Sequence, residues 1–398
     1  CIEGCTPGRA AGRTLSGTIR GRFMRGGTSK GLFLDPVLLP PAGPARDTLL
    51  AGLIGSPDPY ARQLDGLGGA TSSTSKICLI SASRRADADV DFTFGHVDIA
   101  TGAIDYSGNC GNLSSAVGVY AVEEALVAPV APITTVRVWQ ANLGRFMEVH
   151  VPVTERGTVR TSGTRAIAGV PGTGAEIAVD FLRPGHDAAG HVLPRNEPVT
   201  QLTDGEILID ASLVDAGNAT VFIRAADVGL RGDELPAEIE ADDSLKQRLE
   251  RLRGAGAVAM GLADDADWVT GHKPATPKIA LVAPPRNYEA SDGSKISATQ
   301  VDIVSRIMSM GLAHHTYTGT GAIALAVASR VPGTLVHDCL AHKPAESGDV
   351  LQIGHPAGVL PASAEVVTGE DAQPVALRAR LFRTARTLMV GEIPTRPD

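Results

Sequence analysis

The stretch SGNCGNLSSAVGVYAVEEALV, residues 107–127, decides the fold, because it predicts a buried helix whose mouth carries a cysteine between two Gly-Asn pairs. Asn112 is a good N-cap, and the glycines let several backbone N–H groups converge in front of the helix. These N–H groups and the helix dipole favour a bound anion and lower the pKa of a neighbouring thiol. We therefore expect Cys110 to perform acid/base work on an anionic substrate. The alternative is a small apolar core residue, the usual role of a free cysteine.

The helix itself is apolar on nearly all sides. Its two apolar stripes consist of Leu113, Val117 and Tyr120 and of Val119, Val122 and Leu126. A helix with this pattern is buried. Short strands are predicted around it at 90–99, 134–140 and 147–153. One buried helix wrapped by short antiparallel strands predicts an α+β unit with a curved sheet.

The second half of the chain repeats this pattern. The paired segments are 23–36 with 212–227, 73–83 with 276–285, and 109–124 with 318–333. In these paired segments, Lys278 aligns with Lys76 and Thr318 aligns with Cys110. Two copies facing each other would bring both helix N-termini into one cleft, with an anion site at each. The alternative to a true repeat is chance similarity, because short unrelated strand-turn-helix segments can look alike.

The length of 398 residues favours two domains over a single core. The segment 183–202 is rich in Pro, Gly, His and Asp, as domain boundaries are. We therefore predict domains at 18–185 and 205–398, with the C-terminal strand free to return to the first domain. Residues 1–17 are expected to be an extension.

Charge and composition exclude several classes of protein. The chain has 36 basic and 44 acidic residues, a net charge of −8, and no basic run longer than a pair, so no nucleic-acid partner is expected. No apolar run approaches the roughly 20 residues needed to span a membrane. No signal sequence is visible, and the five cysteines are scattered, which together predict a cytoplasmic protein without a disulfide framework. Cys1 and Cys5 could bind a metal ion as a CxxxC pair, but no second pair of ligands lies near them in the sequence.

The turn RGGTSKG, residues 25–31, offers hydroxyl and cationic groups around glycines. Such a turn is a candidate nest for a carboxylate. It lacks the residue order of a nucleotide P-loop and no long helix follows it, so it does not predict phosphate binding. An ordinary surface hairpin is the alternative.

Lys76 lies between the hydroxyl run 71–75 and an apolar strand. One interpretation is a lysine that guards a sheet edge, which is common at strand ends. The other is an amine in a partly desolvated cleft, where burial would lower its pKa and let it act as a base.

Eight motifs, spread in order over nearly the whole chain from about residue 18, resemble those of the PrpF family. They are MRGGTSKG, DGLGGATSSTSK, SGNCGNLSSAVG, WQANLG, TPKIALVAPP, SMGLAHH, VPGT and IGHPAG. The resemblance implies the fold of diaminopimelate epimerase, α+β with two pseudo-symmetric domains, each a curved sheet around a central helix, and an active site between them. Two segments, 192–198 and 314–322, depart from the commoner family pattern where substrate selectivity could be set.

The resemblance also implies that Lys76 and Cys110 carry the catalysis, which replaces the edge interpretation of Lys76. Distant relatives with epimerase or racemase activity carry a cysteine in each half, whereas the second position here is Thr318. A two-thiol racemase is therefore not expected. His314 and His315 are either titrating groups of the cleft or structural hydrogen bonders.

We expect the substrate carboxylates to be bound by the Gly-rich turn, the hydroxyl run, both helix mouths and the second half of the chain. The candidate residues are Arg25, Gly27, Thr28, Ser29, Lys30, Ser73, Ser75, Asn109, Gly111, Asn112, Asn218, Lys278, His315, Thr318, Gly319 and Thr320. No metal and no redox cofactor are expected. Self-association into a homodimer or a larger homo-oligomer is left open.

The expected activity is cofactor-independent isomerisation of unsaturated di- or tricarboxylates, with 2-methylaconitate or aconitate as substrate. Proton removal and return would move the double bond or exchange its cis and trans forms. The alternatives are an oxalomesaconate or methylitaconate isomerase or tautomerase, and a non-catalytic accessory protein of an aconitase-like enzyme. An accessory protein has no need for Lys76 and Cys110 in one cleft.

Overall fold

The computed structural model describes residues 17–342 and 349–395. Residues 1–16 of the predicted extension, with the candidate metal clip of Cys1 and Cys5, lie outside this range. None of the helices in the described range is both long and apolar enough to cross a bilayer.

The first half of the chain folds into strands with helices α1 (Pro44–Ile54) and α2 (Gly111–Glu123). Its strands are β1 (Thr18–Gly26), β2 (Ser29–Leu34), β3 (Lys76–Ala82), β4 (Val90–Val97), β5 (Ile104–Asp105), β6 (Ile133–Gln140), β7 (Arg145–Pro152), β8 (Arg165–Ile167), β9 (Val170–Gly174), β10 (Ile177–Leu182) and β11 (Thr200–Thr203). Strands β4, β6 and β7 are those predicted around the buried helix.

The helices of the second half are α3 (Pro236–Glu240), α4 (Asp243–Ala259), α5 (Ala266–His272), α6 (Gly319–Ala328) and α7 (Leu335–Cys339). Its strands are β12 (Leu208–Ala216), β13 (Asn218–Arg224), β14 (Lys278–Ala283), β15 (Tyr288–Glu289), β16 (Lys295–Ile296), β17 (Ile303–Ser309), β18 (Leu312–Ala313), β19 (Val350–His355), β20 (Gly358–Thr368), β21 (Pro374–Arg383) and β22 (Ala385–Pro394). Short 3-10 turns lie at Pro36–Leu38, Ala225–Val228 and Ala298–Gln300.

The two halves share one order of strand pairing. In the first half, β1–β2 is antiparallel, β2–β3 parallel, β3–β4 antiparallel and β4–β6 parallel, and β6–β7 and β7–β10 are antiparallel. The same directions recur in the same order through β12, β13, β14, β17, β19, β20 and β21. This agreement at every step confirms the internal repeat.

Each half gives its last strand to the other sheet. Strand β11 pairs antiparallel with β12, the first strand of the second half, and β22 pairs antiparallel with β1, the first strand of the first half. The pairing of β10 with β21 joins the two sheets. We propose the predicted division at 18–185 and 205–398, with β11 in the connecting segment between them and β22 as the strand that returns to the first domain.

Helices α2 and α6 run through the middle of the two sheets. All residues from Gly111 to Val122 and from Gly319 to Ala328 are buried, as the apolar pattern predicted. Small side chains allow this close packing: a Cβ added to Gly118 would lie 2.7 Å from the side chains of Val149 and Val151 on β7. The central helices are therefore fixed relative to the sheets that surround them.

Further helices cover the outer faces of the sheets. On the first sheet, Leu50 and Ile54 of α1 share an apolar core with Leu32 of β2. On the second sheet, Leu249 of α4 shares a core with Ile279 of β14. Because both faces of β2, β3, β13 and β14 are buried, these strands hold the residues at their ends in fixed positions.

Candidate active site

The N-termini of α2 and α6 meet face to face at the centre of the molecule. A Cβ added to Gly111 would lie 2.7 Å from the carbonyl carbon of Gly319, and one added to Gly319 would lie 2.6 Å from that of Gly111. The N-cap residues are Cys110 for α2 and Thr318 for α6, the pair that the repeat placed opposite each other. Both helix dipoles therefore direct their positive ends into the same small volume.

Because this contact is made by backbone atoms, Gly319→Ala is expected to destabilise the protein by about 1 to 3 kcal/mol. The matched control is Gly271→Ala in α5, where an added Cβ meets no atom within 4 Å. That variant is expected to be neutral or slightly stabilising, since alanine favours the helix. Urea unfolding of both variants tests the contact, and equal midpoints would show that the helix mouths do not touch.

The helix mouth differs from the prediction in one respect. We predicted Asn112 as the N-cap, and this is wrong. The helix begins at Gly111, and the Cys110 sulfur accepts a hydrogen bond from the backbone N–H of Leu113 at 3.5 Å. The Asn112 side chain instead donates to Thr28 Oγ1 at 3.1 Å and accepts from Arg383 Nε at 2.8 Å. The cysteine thus takes the position where the helix favours negative charge.

Lys76 and Cys110 are in direct contact. Lys76 Nζ lies 3.3 Å from Cys110 Sγ and 3.1 Å from Ser29 Oγ, and Ser29 Oγ lies 3.9 Å from the sulfur. Both Lys76 and Cys110 are buried, 7% and 6% exposed. Burial raises the pKa of Cys110, but the charge of Lys76, the Leu113 N–H and the hydrogen bonds outweigh burial, so the pKa is lowered. The arrangement favours a thiolate beside an ammonium group.

Lys278 occupies the position in the second half that Lys76 occupies in the first. Each is the first residue of its strand, β14 and β3. Its Nζ donates to the carbonyl of Ala275 at 3.1 Å. Burial, followed by repulsion from Lys76, lowers the pKa of Lys278 to about 8. A negatively charged ligand between the two lysines would relieve this repulsion.

The cleft around these groups combines residues of both halves. Its lining residues are Lys76, Phe94, His96, Gly108, Asn109, Cys110, Gly111, Asn112, Asn218, Ala275, Lys278, Ser309, His314, Thr318, Gly319 and Thr320. Ten of the predicted residues are among them: Lys76, Asn109, Cys110, Gly111, Asn112, Asn218, Lys278, Thr318, Gly319 and Thr320. Ser29 joins them through its contact with Lys76.

Two buried histidines of the cleft are neutral. Burial lowers the pKa of both His96 and His314 well below the usual value, and the nearby lysine charges add to this effect. His314 Nδ1 accepts from the Thr316 N–H, which leaves Nε2–H as its donor. The predicted His315 is exposed and stacks on His314, and it is the buried His314 that lines the cleft.

The Gly-rich turn is divided between two faces of its sheet. Arg25 pairs with Lys30 across β1 and β2, one position away from Ser29, so their side chains point away from the face that carries Ser29. Arg25 donates to the carbonyls of Gly27 and Thr384, and the Lys30 ammonium lies over the Phe23 ring. The structure therefore does not bring Arg25 and Lys30 into the cleft.

The remaining predicted residues stabilise neighbouring segments. Ser75 donates to Gln63 Oε1, and Ser73 Oγ lies 3.0 Å from Thr71 Oγ1, so both hydroxyls hold the loop before β3. Gly27 has a φ of +49° and donates its N–H to the Thr384 carbonyl. Thr28 lies beside the helix mouth, in hydrogen-bond contact with Asn112.

Sequence reasoning missed Arg383, Phe94 and His96. Arg383 ends β21, far along the chain from the helix mouth that it contacts through Asn112. No spacing rule connects these positions. His96 had a usable signal, because it lies in the predicted strand that pairs with β3, directly opposite Lys76.

A candidate cation site lies outside the cleft. Within the described ranges, the side chains of Glu148, His150 and Asp180 are close enough to share an ion. However, Arg380 donates to both oxygens of Asp180, and His150 contacts the same carboxylate at 3.0 Å. The carboxylate is thus already neutralised by a guanidinium group, and the cluster does not fit a metal ion.

Residues 18–396 match the sequence model of a family described as PrpF protein. This chain belongs to the PrpF family. It is 42% identical over 381 residues to the 2-methyl-aconitate isomerase of Shewanella oneidensis, covering 93% of this chain and 94% of that protein. It is 41% identical over 372 residues to the 3-methylitaconate isomerase of Eubacterium barkeri, covering 93% of this chain and 95% of that protein.

A crystal structure of a methylitaconate-delta-isomerase has the same fold as this PrpF chain. The TM-score is 0.75 at 39% sequence identity, and 95% of each chain is covered. The epimerase-like α+β fold implied by the sequence motifs is thus the fold of the protein.

Proposed function

We propose that this PrpF protein is an isomerase of unsaturated di- or tricarboxylates. The observation that carries the proposal is the 3.3 Å contact between Lys76 Nζ and Cys110 Sγ at the point where both helix N-termini meet. An acid/base pair of this kind, beside groups that bind carboxylates, suits proton transfer next to a carboxylate. The names of the relatives support the same reaction class.

In the proposed reaction, the Cys110 thiolate accepts a proton from the carbon allylic to a conjugated carboxylate. The electron pair of the broken C–H bond spreads over the double bond and the carboxylate as a dienolate. The Lys76 ammonium then protonates the same carbon after rotation, or the other end of the allylic system. The proton held by Cys110 returns to Lys76 across their contact, which restores the starting pair. No external oxidant or reductant enters this balance.

This assignment exchanges the roles that the sequence suggested, where Lys76 was the base. The lowered pKa of Cys110 and the hydrogen bond from the Lys76 ammonium support the thiolate as proton acceptor. The charge that develops on the dienolate would be stabilised by the N–H groups of both helix mouths and by Lys278. Thr318, in the place of a second thiol, argues against a two-base racemase.

Proton NMR in deuterated water tests the proposal with separate samples of aconitate, 2-methylaconitate, methylitaconate and oxalomesaconate. We expect isomerisation of at least one acid, with deuterium in the product or the recovered substrate, because the proton passes through exchangeable groups. Isomerisation of methylitaconate or oxalomesaconate alone would select the alternative substrate class. Tight binding of an acid without isomerisation or exchange would favour the accessory protein and contradict the proposal.

The cytoplasmic location and the assembly into a homodimer or a larger homo-oligomer stay predictions. The small-molecule carboxylate is the partner that the proposed reaction requires.

A further inference from the structure

A second cavity lies beside the active site, behind the mouth of α2. It has a volume of about 20 Å³, and it is lined by Thr28, Arg165, Thr316, His355, Arg383 and apolar residues of β8, β20 and β21. This is room for one water-sized group. The turn of the β8–β9 hairpin covers it at Gly169, where an added Cβ would approach Thr28 and Thr316.

Arg383 is the decisive residue of this cavity, because its buried charge has an unfilled donor. Its side chain is 1% exposed. Nε donates to Asn112 Oδ1 at 2.8 Å and Nη1 to the Phe382 carbonyl at 3.0 Å, but the buried Nη2 has no hydrogen-bond partner. No Asp or Glu within residues 17–342 and 349–395 forms an ion pair with Arg383. Cys110 attracts the Arg383 charge, yet the buried Nη2 keeps an unfilled donor, which is costly.

The groups around Arg383 offer hydrogen-bond donors to the cavity and no free negative charge. Arg165 of β8 also reaches the rim, where Glu176 already neutralises its charge. Thr316 donates its hydroxyl to Thr28 Oγ1 at 3.0 Å, which leaves the Thr28 hydroxyl proton as the available donor. The neutral His355 ring accepts the Ala357 N–H at Nδ1, which leaves Nε2–H as its donor. Such a set of groups suits a small anion.

We propose that this cavity binds one small anionic group, held by Arg383 and Thr28. The group is either one carboxylate oxygen of the substrate or a free monoatomic anion. The first case rests on the proposed isomerase function, and the second is independent of it. In both cases the anion adds negative charge beside Arg383 and supplies the acceptor that Nη2 lacks.

Thermal unfolding at constant ionic strength tests the site without any activity measurement. Chloride is close to the size of a water molecule and fits the cavity, whereas gluconate is too large. We expect Tm to be at least about 2 °C higher in chloride than in gluconate, because an anion bound only to the folded state stabilises it. Equal Tm values in the two salts would overturn the proposal and favour a buried water.

Arg383→Gln should abolish this difference between salts, since glutamine removes the charge and Nη2. The matched control is Arg253→Gln, which removes a buried arginine whose three nitrogens all donate hydrogen bonds, to Glu250, Lys273 and Pro277. That control should keep the wild-type difference. If Arg383→Gln does not fold, Thr28→Val should reduce the difference instead, because it removes the available hydroxyl donor. A difference that persists in the folded Arg383→Gln or in Thr28→Val would overturn the proposal.

Kinetics with aconitate, or with whichever acid is isomerised, separate the two sources of the anion. If the cavity takes a substrate carboxylate, chloride should raise KM without changing kcat, and Arg383→Gln should raise KM about tenfold or more. If it takes a free anion, chloride should leave KM unchanged while still raising Tm. Absence of isomerisation would contradict the proposed function but leave the thermal result as the test of the site.

Discussion

Lys76→Ala is expected to lower the isomerisation rate by about 10² to 10⁴-fold, because it removes both the proton donor and the charge that stabilises the Cys110 thiolate. Lys76→Arg should not restore the rate, since a guanidinium group keeps its proton near neutrality. Steady-state rates and circular dichroism of both variants provide the measurement. Both should stay folded, because neither change empties a large core volume.

The matched control is Lys246→Ala, which removes an ammonium group that contacts Asp243 at 2.9 Å on the surface of α4. It should retain the full rate. Near-normal turnover of a folded Lys76→Ala would remove Lys76 from the mechanism. Full rescue by arginine would show that Lys76 supplies only positive charge and that the proton comes from another group.

Cys110→Ser should lower the rate by a similar factor of about 10² to 10⁴, because an alcohol does not ionise in the range where the thiol does. The pH dependence gives a second readout. The wild-type kcat/KM should fall toward acid pH as the thiolate takes up a proton, at a pH below the ordinary thiol pKa of 9.0 because the Cys110 pKa is lowered. Serine should abolish this acid limb.

Cys339→Ala is the control for Cys110, since it removes a buried cysteine of α7 that does not line the cleft. Its rate and pH profile should match those of the wild type. If Cys110→Ser keeps most of the activity and the same acid limb, then Cys110 only positions the substrate. The base would then have to be Lys76, as the sequence first suggested.

The sequence by itself determined the elements of the fold and the two central residues. Apolar residues on all sides of 111–123 predicted a buried helix, because burial leaves a local pattern along the chain. The repeat of strand, turn and helix predicted the second half, and it placed Lys278 opposite Lys76 and Thr318 opposite Cys110. Family motifs selected Lys76 and Cys110 as a pair, and the structure brings their side chains into contact.

Only the tertiary structure decided which face each residue presents and which distant residues meet. Lys30 is adjacent to Ser29 and pairs across the strands with Arg25, yet strand alternation turns both side chains to the other side of the sheet. Cys110 became the N-cap because the Asn112 side chain is held by Thr28 and Arg383, contacts across 84 and 271 residues of sequence. Sequence periodicity records burial within one element, whereas such contacts depend on how separate elements pack, and no local pattern encodes them.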